Sequence, residues 1–106
     1  MIAVKYKRAG QSHELTMTGH ADYSVYGDDI VCAGASAIVF ALLGWLENNS
    51  EDLEYIVSDV HSGNVRLTCE GGERTAAAFE MTTIGLLQLA DAYEDHVEID
   101  IVGLAD

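Results

Sequence analysis

The sequence lacks several features that divide a protein chain or direct it out of the cell. Its 106 residues contain no proline, and no linker rich in proline, serine or glycine interrupts them, which predicts one domain spanning residues 1–106. The start, Met1 to Gly10, has no long apolar run, so we expect no secretory signal peptide. No Gly-rich phosphate motif and no Cys-x-x-Cys pair occurs, which argues against a nucleotide-binding loop and a thioredoxin-like dithiol.

Positive charge is also scarce. Lys and Arg together number 5 against 18 Asp and Glu, giving a formal net charge of −13. A chain this acidic repels phosphate backbones, so we expect no nucleic-acid partner. It would attract a basic protein, but an acidic surface also serves solubility alone. Both interpretations stay open at this point.

The two cysteines and one uncharged run bear on location. Two cysteines without a signal peptide indicate free thiols in a reducing cytoplasm. The run from Ile30 to Leu46 carries no charge over 17 residues, the lower limit for a bilayer span. Amphipathic segments lie on both sides of it and no cationic flank sets an orientation. We therefore expect a buried helix and no membrane partner.

Apolar periodicity predicts five strands and two helices. Strands with one polar face favour an antiparallel-rich sheet with both helices packed on its other face, an α+β domain. The predicted order is strand-strand-helix-strand-strand-helix-strand. In that order the elements are Met1 to Arg8, Glu14 to Thr18, Cys32 to Leu46, Leu53 to Val60, Asn64 to Glu70, Glu73 to Asp95 and Val97 to Ile101.

The first helix is apolar on every side, which predicts burial on most of its faces. Small residues form one stripe along it, where another backbone can approach closely. One sheet and one neighbouring helix would leave part of it uncovered, so we expect a homodimer. The alternative is that helix two of the same subunit covers the stripe. Its members are Ala33, Ala37, Ala41 and Gly44.

Cys32 and His20 are the strongest candidates for chemistry. A thiol in the first turn of a helix lies near unpaired N–H groups and the positive end of the macrodipole, which favour the nucleophilic thiolate. His20, between Gly19 and a loop rich in turn residues, supplies an imidazole able to fold over that thiol. The alternatives are a buried, inert cysteine and a solvated histidine.

Two further polar residues flank the pair. Asp29 either caps the helix or holds the histidine in its useful tautomer. Ser36 lies one turn after Cys32 and could contact the reacting group; the alternative is that its hydroxyl bonds its own i−4 carbonyl. A zinc site from His20, Cys32 and an aspartate is a further alternative without a recognisable ligand spacing. We expect Cys69 in the core, and we expect the other three histidines at the surface: His13, His61 and His96.

These residues together resemble a known signature. Gly19-His20-Ala21, Gly27 eight positions after Gly19, the block Asp29-Ile30-Val31-Cys32-Ala33 and Ser36 resemble the ribosomal-processing cysteine protease family, Prp. The resemblance extends to chain length and element order. Asp22 stands where the family pattern has a small residue, and Gly34-Ala35 is a small-residue variant.

The resemblance implies a function and roles. Members remove a short N-terminal extension from a ribosomal large-subunit protein, cutting after an aromatic pair and before a small residue. They are cytoplasmic homodimers without a cofactor or metal, with a flexible loop over the site. Carried over, His20 is the base, Cys32 the nucleophile, and Asp29 and Ser36 supporting residues. Gly19 and Gly27 would be loop hinges, and the loop would clasp the extension through Tyr23, Val25 and Tyr26.

On this interpretation the loop from Ala21 to Gly27 is mobile without substrate and orders over a bound peptide. Amides of the first helical turn would stabilise the oxyanion. The alternative function, from another class, is a non-catalytic acidic module that binds a basic, for example ribosomal, protein.

Overall fold

Alternating apolar and polar residues build one five-stranded sheet, and two helices cover one of its faces. A computed structural model describes residues 1–25 and 29–103. A single 3₁₀ turn at Ser50–Asp52 follows the first helix. The elements are β1 (Ile2–Ala9), β2 (Ser12–Thr18), α1 (Ile30–Asn48), β3 (Leu53–His61), β4 (Asn64–Gly71), α2 (Glu73–Ala92) and β5 (Val97–Val102).

The strand order explains why both helices share a face. The order is β3-β4-β2-β1-β5, and each neighbouring pair is antiparallel except β1–β5, which is parallel. The chain crosses from β2 through α1 to β3, and from β4 through α2 to β5. Such crossovers are right-handed. The two cross the sheet in opposite directions and start from strands that are antiparallel to each other, so both place their helix on the same face. The predicted α+β order and one-sided helix layer are confirmed, with one parallel pair in addition.

The core lies between the helices and the inward face of four strands. Cys69 is fully buried there, as predicted from its strand parity. The edge strand β3 contributes no fully buried residue. The buried side chains of β1, β2, β4 and β5 are Ile2, Val4, Tyr6, His13, Leu15, Met17, Val65, Leu67, Cys69 and Val97.

Within one subunit only one face of α1 is buried, so the expected burial of its other faces by a second subunit stays a prediction. A helix in a single layer on a sheet keeps an outward face, and α2 packs along one side of α1, against Gly34 and Ile38 and with Arg74 over the Trp45 ring. By length and apolar composition alone α1 would suffice to span a bilayer, yet its inner face is part of the core. The buried positions follow a helical repeat: Val31, Ala35, Val39, Leu42 and Leu46.

The N-terminus of α2 is capped from outside the helix. Its N-cap residue, Gly72, has no side chain to accept a hydrogen bond. Asp52 does so instead, because its Oδ2 accepts from the backbone N–H of Thr75 at 2.8 Å and from its hydroxyl at 2.7 Å. These bonds, that from the Thr75 hydroxyl foremost, hold the pKa of the Asp52 carboxyl below its ordinary value. The cap therefore links the turn after α1 to the start of α2.

A buried aromatic cluster centres on His13, which is only 2 % exposed; the expectation that it lies at the surface was wrong. Its ring stacks on Phe79 with centroids 4.6 Å apart. Its Nδ1 lies 2.6 Å from the Tyr6 hydroxyl, while its Nε2 has no partner among the described residues. Burial lowers the pKa of His13 to about 4 and raises that of Tyr6 to about 12. Both are therefore neutral near pH 7, and Tyr6 donates to His13.

This cluster predicts a stability loss in mild acid. As the pH falls below the ordinary histidine pKa of 6.5, His13 becomes protonated in the unfolded chain. In the folded protein it stays neutral until about pH 4. The free energy of unfolding should fall by about 2 kcal/mol between pH 7.5 and pH 5. Urea titrations across that range measure it.

The control is the double variant Tyr6→Phe/His13→Phe, which replaces both hydrogen-bonding partners with apolar rings. Its unfolding free energy should vary less over the same pH range, with the other histidines unchanged. An identical pH dependence in the two proteins would show that His13 is not the group responsible.

Candidate active site

A cleft of about 670 Å³ lies between the N-terminal half of α1 and the turn that joins β3 to β4. It brings together the predicted thiol and imidazole, because Cys32 and His20 both line it. Other lining residues are Asp29 and Ser36, the apolar residues Met17, Val39, Phe40, Val60 and Val65, and the turn residues His61 and Gly63.

Cys32 is the third residue of α1, which begins at Ile30, two residues earlier than predicted. Its thiol is free and half-buried. The Sγ accepts a hydrogen bond from the backbone N–H of Ala21 at 3.2 Å. This donor, from the residue directly after His20, stabilises negative charge on sulfur. The helix position and this contact both favour the thiolate.

Asp29 joins the start of α1 to the preceding loop. Its Oδ1 accepts from the N–H groups of Val31 and Cys32, both at 3.0 Å. Its Oδ2 accepts from those of Tyr23 at 3.0 Å and Ser24 at 3.4 Å. These bonds, that from Cys32 foremost, hold the pKa of the Asp29 carboxyl below its ordinary value of 3.8. With both oxygens bound to backbone, the geometry favours the capping interpretation over contact with histidine.

His20 is exposed and follows the bend at Gly19. Its ring turns the Nε2 edge toward Gly63 in the β3–β4 turn. Within residues 1–25 and 29–103, no hydrogen bond joins this ring to the Cys32 thiol. The two groups thus share the cleft without being paired in this state, as is common before substrate binds.

The peptide after His20 is held on both sides. The Ala21 N–H bonds the Cys32 sulfur, and the Ala21 carbonyl oxygen lies 2.8 Å from His96 Nδ1. Because a carbonyl only accepts, His96 carries its proton on Nδ1. His96 is half-buried, so placing it at the surface was wrong. No local pattern reveals this contact, since its partner is 75 positions away.

The described part of the loop is attached rather than free. The Tyr23 ring packs edge-on against Tyr93 and His96, with centroids 5.5 Å and 5.2 Å away. Tyr23 does not line the cleft in the substrate-free structure, and its contact with substrate stays a prediction. Val25 is 70 % exposed and does not line the cleft either. Two more predicted residues, Tyr26 and Gly27, lie outside the described residues.

Two further predicted residues, Ser36 and Gly19, line the cleft, and their roles stay predictions. Ser36 lines the cleft one turn after Cys32. Gly19 has φ +88°, and the carbonyl oxygen of Met1 occupies the space of a side chain there. The α-ammonium of Met1 lies 3.5 Å from the Asp22 carboxylate, which also lines the cleft. Within the described ranges, no group of three or more His, Cys, Asp or Glu side chains is arranged to hold a metal ion.

Comparison with known proteins agrees with this geometry. A family model described as cysteine protease Prp matches residues 1–98. The chain belongs to the cysteine protease Prp family. It is accordingly a hydrolase that cleaves peptide bonds with a cysteine, and the resemblance seen in the sequence is confirmed.

Two relatives share moderate sequence identity with this chain. The ribosomal processing cysteine protease Prp of Staphylococcus aureus is 28 % identical over 95 residues, covering 86 % of this chain and 88 % of that one. Prp of Mycoplasma genitalium is 29 % identical over 86 residues, covering 81 % and 85 % respectively. Both matches extend over most of each chain.

Solved structures share the fold. S. aureus Prp in complex with a covalently linked product peptide superposes with a TM-score of 0.83 at 24 % identity, over 95 % of this chain and 99 % of that one. SMU.848 from Streptococcus mutans superposes with a TM-score of 0.73 at 25 % identity, over 96 % and 94 %.

Replacing Asp29 with Asn should loosen the helix start and the loop together. The amide keeps one acceptor but loses the charge and cannot accept at its NH₂ group. The Asp29 carboxylate stabilises the fold only when it is ionised, since its pKa is lower in the folded protein than in the unfolded chain. Its contribution to stability is therefore full above pH 3.8 and is lost as the pH falls further. The melting temperature of Asp29→Asn should be lower than wild type at pH 7, and the difference should shrink as the pH falls below 3.8.

Asp91→Asn is the matched control, since it removes one charge from an exposed position on α2. It should not lower the melting temperature at pH 7. Equal melting temperatures for wild type and Asp29→Asn at pH 7 would contradict the capping role.

Proposed function

We propose that this protease removes a short N-terminal extension from a ribosomal large-subunit protein in the cytoplasm, with Cys32 as nucleophile and His20 as general base. The observation that carries the assignment is the shared cleft, in which the Cys32 sulfur already accepts the Ala21 N–H at 3.2 Å. The names of the S. aureus and M. genitalium relatives support ribosomal processing as the role.

The reaction is acyl transfer through a thioester. His20 takes the proton from the Cys32 thiol, and the thiolate attacks the scissile carbonyl carbon. The tetrahedral intermediate collapses, the C–N bond breaks, and the imidazolium returns the proton to the leaving amine. His20 then takes a proton from water, whose oxygen attacks the thioester. Collapse releases the new carboxylate and restores the thiol.

The first-turn amides that we expect to stabilise the oxyanion have hydrogen-bond partners in the substrate-free structure. The N–H groups of Val31 and Cys32 donate to Asp29 Oδ1, and that of Ala33 donates to the Asp29 carbonyl. These amides already have partners, and the Ala21 amide donates to the sulfur itself. We assign the Ala21 amide the role of holding the thiolate before it attacks.

The cleft suits a hydrophobic segment followed or preceded by basic residues. Its floor and walls include Met17, Val39, Phe40 and other apolar side chains, which would receive the aromatic pair expected for this family. Its charged lining residues are carboxylates, and no described Lys or Arg lines it. A ribosomal protein is basic as a class, so attraction would raise its encounter rate.

The alternative of a non-catalytic acidic module is set aside. The acidic charge that motivated it is equally explained by recruitment of a basic substrate. Membership of a cysteine protease family, together with a cleft holding a free thiol, favours the enzyme.

Cys32→Ser and His20→Ala should each lower kcat/KM by at least about 10³-fold, because the pair acts as a unit. The assay follows cleavage of a large-subunit ribosomal protein whose extension ends in an aromatic pair before a small residue. Circular dichroism checks that each variant is folded.

Cys69→Ala is the control for the thiol, and it should retain cleavage because Cys69 is fully buried in the core. His61→Ala tests the competing imidazole, since His61 lines the same cleft with its Nε2 2.6 Å from Asp59. Loss of cleavage in His61→Ala with retention in His20→Ala would transfer the base role to His61.

We also propose that the protein is a homodimer formed through the outer face of α1. Ala33, Ala37 and Ala41 are exposed, so helix two of the same subunit does not cover this stripe. Phe40 is 54 % exposed beside them. Two copies can meet here without burying charge, because the helix is uncharged from Ile30 to Leu46.

Ala37→Glu should shift the protein from dimer to monomer, since it would bury a carboxylate in the contact. Light scattering across a dilution series gives the mass. Val57→Glu is the control, because it places the same charge on the outer face of β3. A wild-type monomer at micromolar concentration with full activity would overturn the proposal.

A further inference from the structure

The β3–β4 turn meets the segment that carries His20. Its glycine, Gly63, has φ +72°. This is a left-handed backbone conformation that residues other than glycine and asparagine rarely adopt. The Gly63 carbonyl oxygen accepts a hydrogen bond from the Gly19 N–H at 2.9 Å. The backbone directly before His20 is therefore tied to this turn, at the end of the β2–β4 pairing.

The His20 ring lies against the same glycine. A Cβ added to Gly63 would be 2.7 Å from His20 Nε2, 3.2 Å from Cε1 and 3.4 Å from Cδ2. All three atoms belong to the imidazole, so the ring occupies the space that a side chain would need. At two other left-handed glycines, Gly19 and Gly103, the added atom would instead meet backbone.

We propose that Gly63 is a positioning residue that sets where the His20 imidazole lies in the cleft. The proposal rests on the function proposed above, in which His20 is the general base. The turn fixes the backbone before His20 through one hydrogen bond and leaves room for its ring through the missing side chain. The role of Gly63 is limited to its contact with the imidazole and to the hydrogen bond from Gly19.

The contact predicts which atoms move when a side chain is introduced at Gly63. The colliding atoms are at the end of an exposed side chain with two rotatable bonds, so the ring moves rather than the fold. A displacement of about 1 Å at a catalytic group can cost about 10²-fold in rate. We therefore expect Gly63→Ala to lower kcat by about 10²-fold with little change in KM.

Two variants separate this effect from backbone strain. Gly10→Ala is the matched control, because Gly10 also lies in a hairpin turn with φ +59° but has no neighbour within 4 Å of an added Cβ. Gly63→Asn carries a Cβ while tolerating the left-handed conformation. We expect Gly10→Ala to keep wild-type kcat and Gly63→Asn to behave like Gly63→Ala.

The second readout is the pH profile of Cys32 alkylation by iodoacetamide, which needs no protein substrate. Displacing His20 should move the Gly63→Ala and Gly63→Asn profiles toward that of His20→Ala. Adding either substitution to His20→Ala should produce no further change, because the ring that it displaces is absent. Cys69 is an internal reference, since burial raises its pKa to about 11.

The outcomes are distinct. Wild-type or higher kcat in both Gly63 variants, or an equal loss in Gly10→Ala, would overturn the positioning role. Full cleavage by His20→Ala would instead overturn the proposed function. If neither Gly63 variant folds, nuclear Overhauser contacts between the Gly63 α-protons and the His20 ring in the wild-type protein decide; their absence would refute the proposal.

Discussion

The Asp29 carboxylate is the interaction on which the site depends. It binds four backbone N–H groups, two from the first turn of α1 and two from the loop before it. One side chain thus fixes where the helix begins and where the preceding chain turns. The Cys32 thiol and the Ala21 amide meet because both segments are fixed to this residue. The contact between the thiol and the amide therefore depends on a helix cap.

Most of the fold could be predicted because it follows from local periodicity. Alternation located the strands, and the long apolar run located α1, to within two residues at its start. The alternation along β2 also places His13 in the core, because His13 has the same odd parity as Leu15 and Met17. Treating histidine as polar hid this, although a neutral imidazole paired with a buried Tyr6 hydroxyl belongs in a core.

The contacts that sequence could not supply are those between distant segments. Asp52 caps a helix that starts 21 positions later, and His96 holds a carbonyl 75 positions before it. Tyr23 packs on Tyr93 for the same reason: the sheet order places the end of β2 and the start of β5 at the same end of the sheet, with β1 between them. Cys32, His20 and Asp29 could be predicted as site residues because the motif that contains them is local. Their mutual arrangement depends on tertiary contacts that no spacing encodes.

The position of residue 1 has a practical consequence for anyone preparing this enzyme. Met1 lies under Gly19, with its ammonium beside Asp22 at the cleft. Gly103 lies instead against the Arg8 carbonyl, at the far end of β1. An affinity tag fused ahead of residue 1 would therefore begin beside the active site, where it would compete with substrate as a tethered ligand. A tag placed after β5 would leave from the opposite end of the sheet, so assays and inhibitor screens are better built on that end.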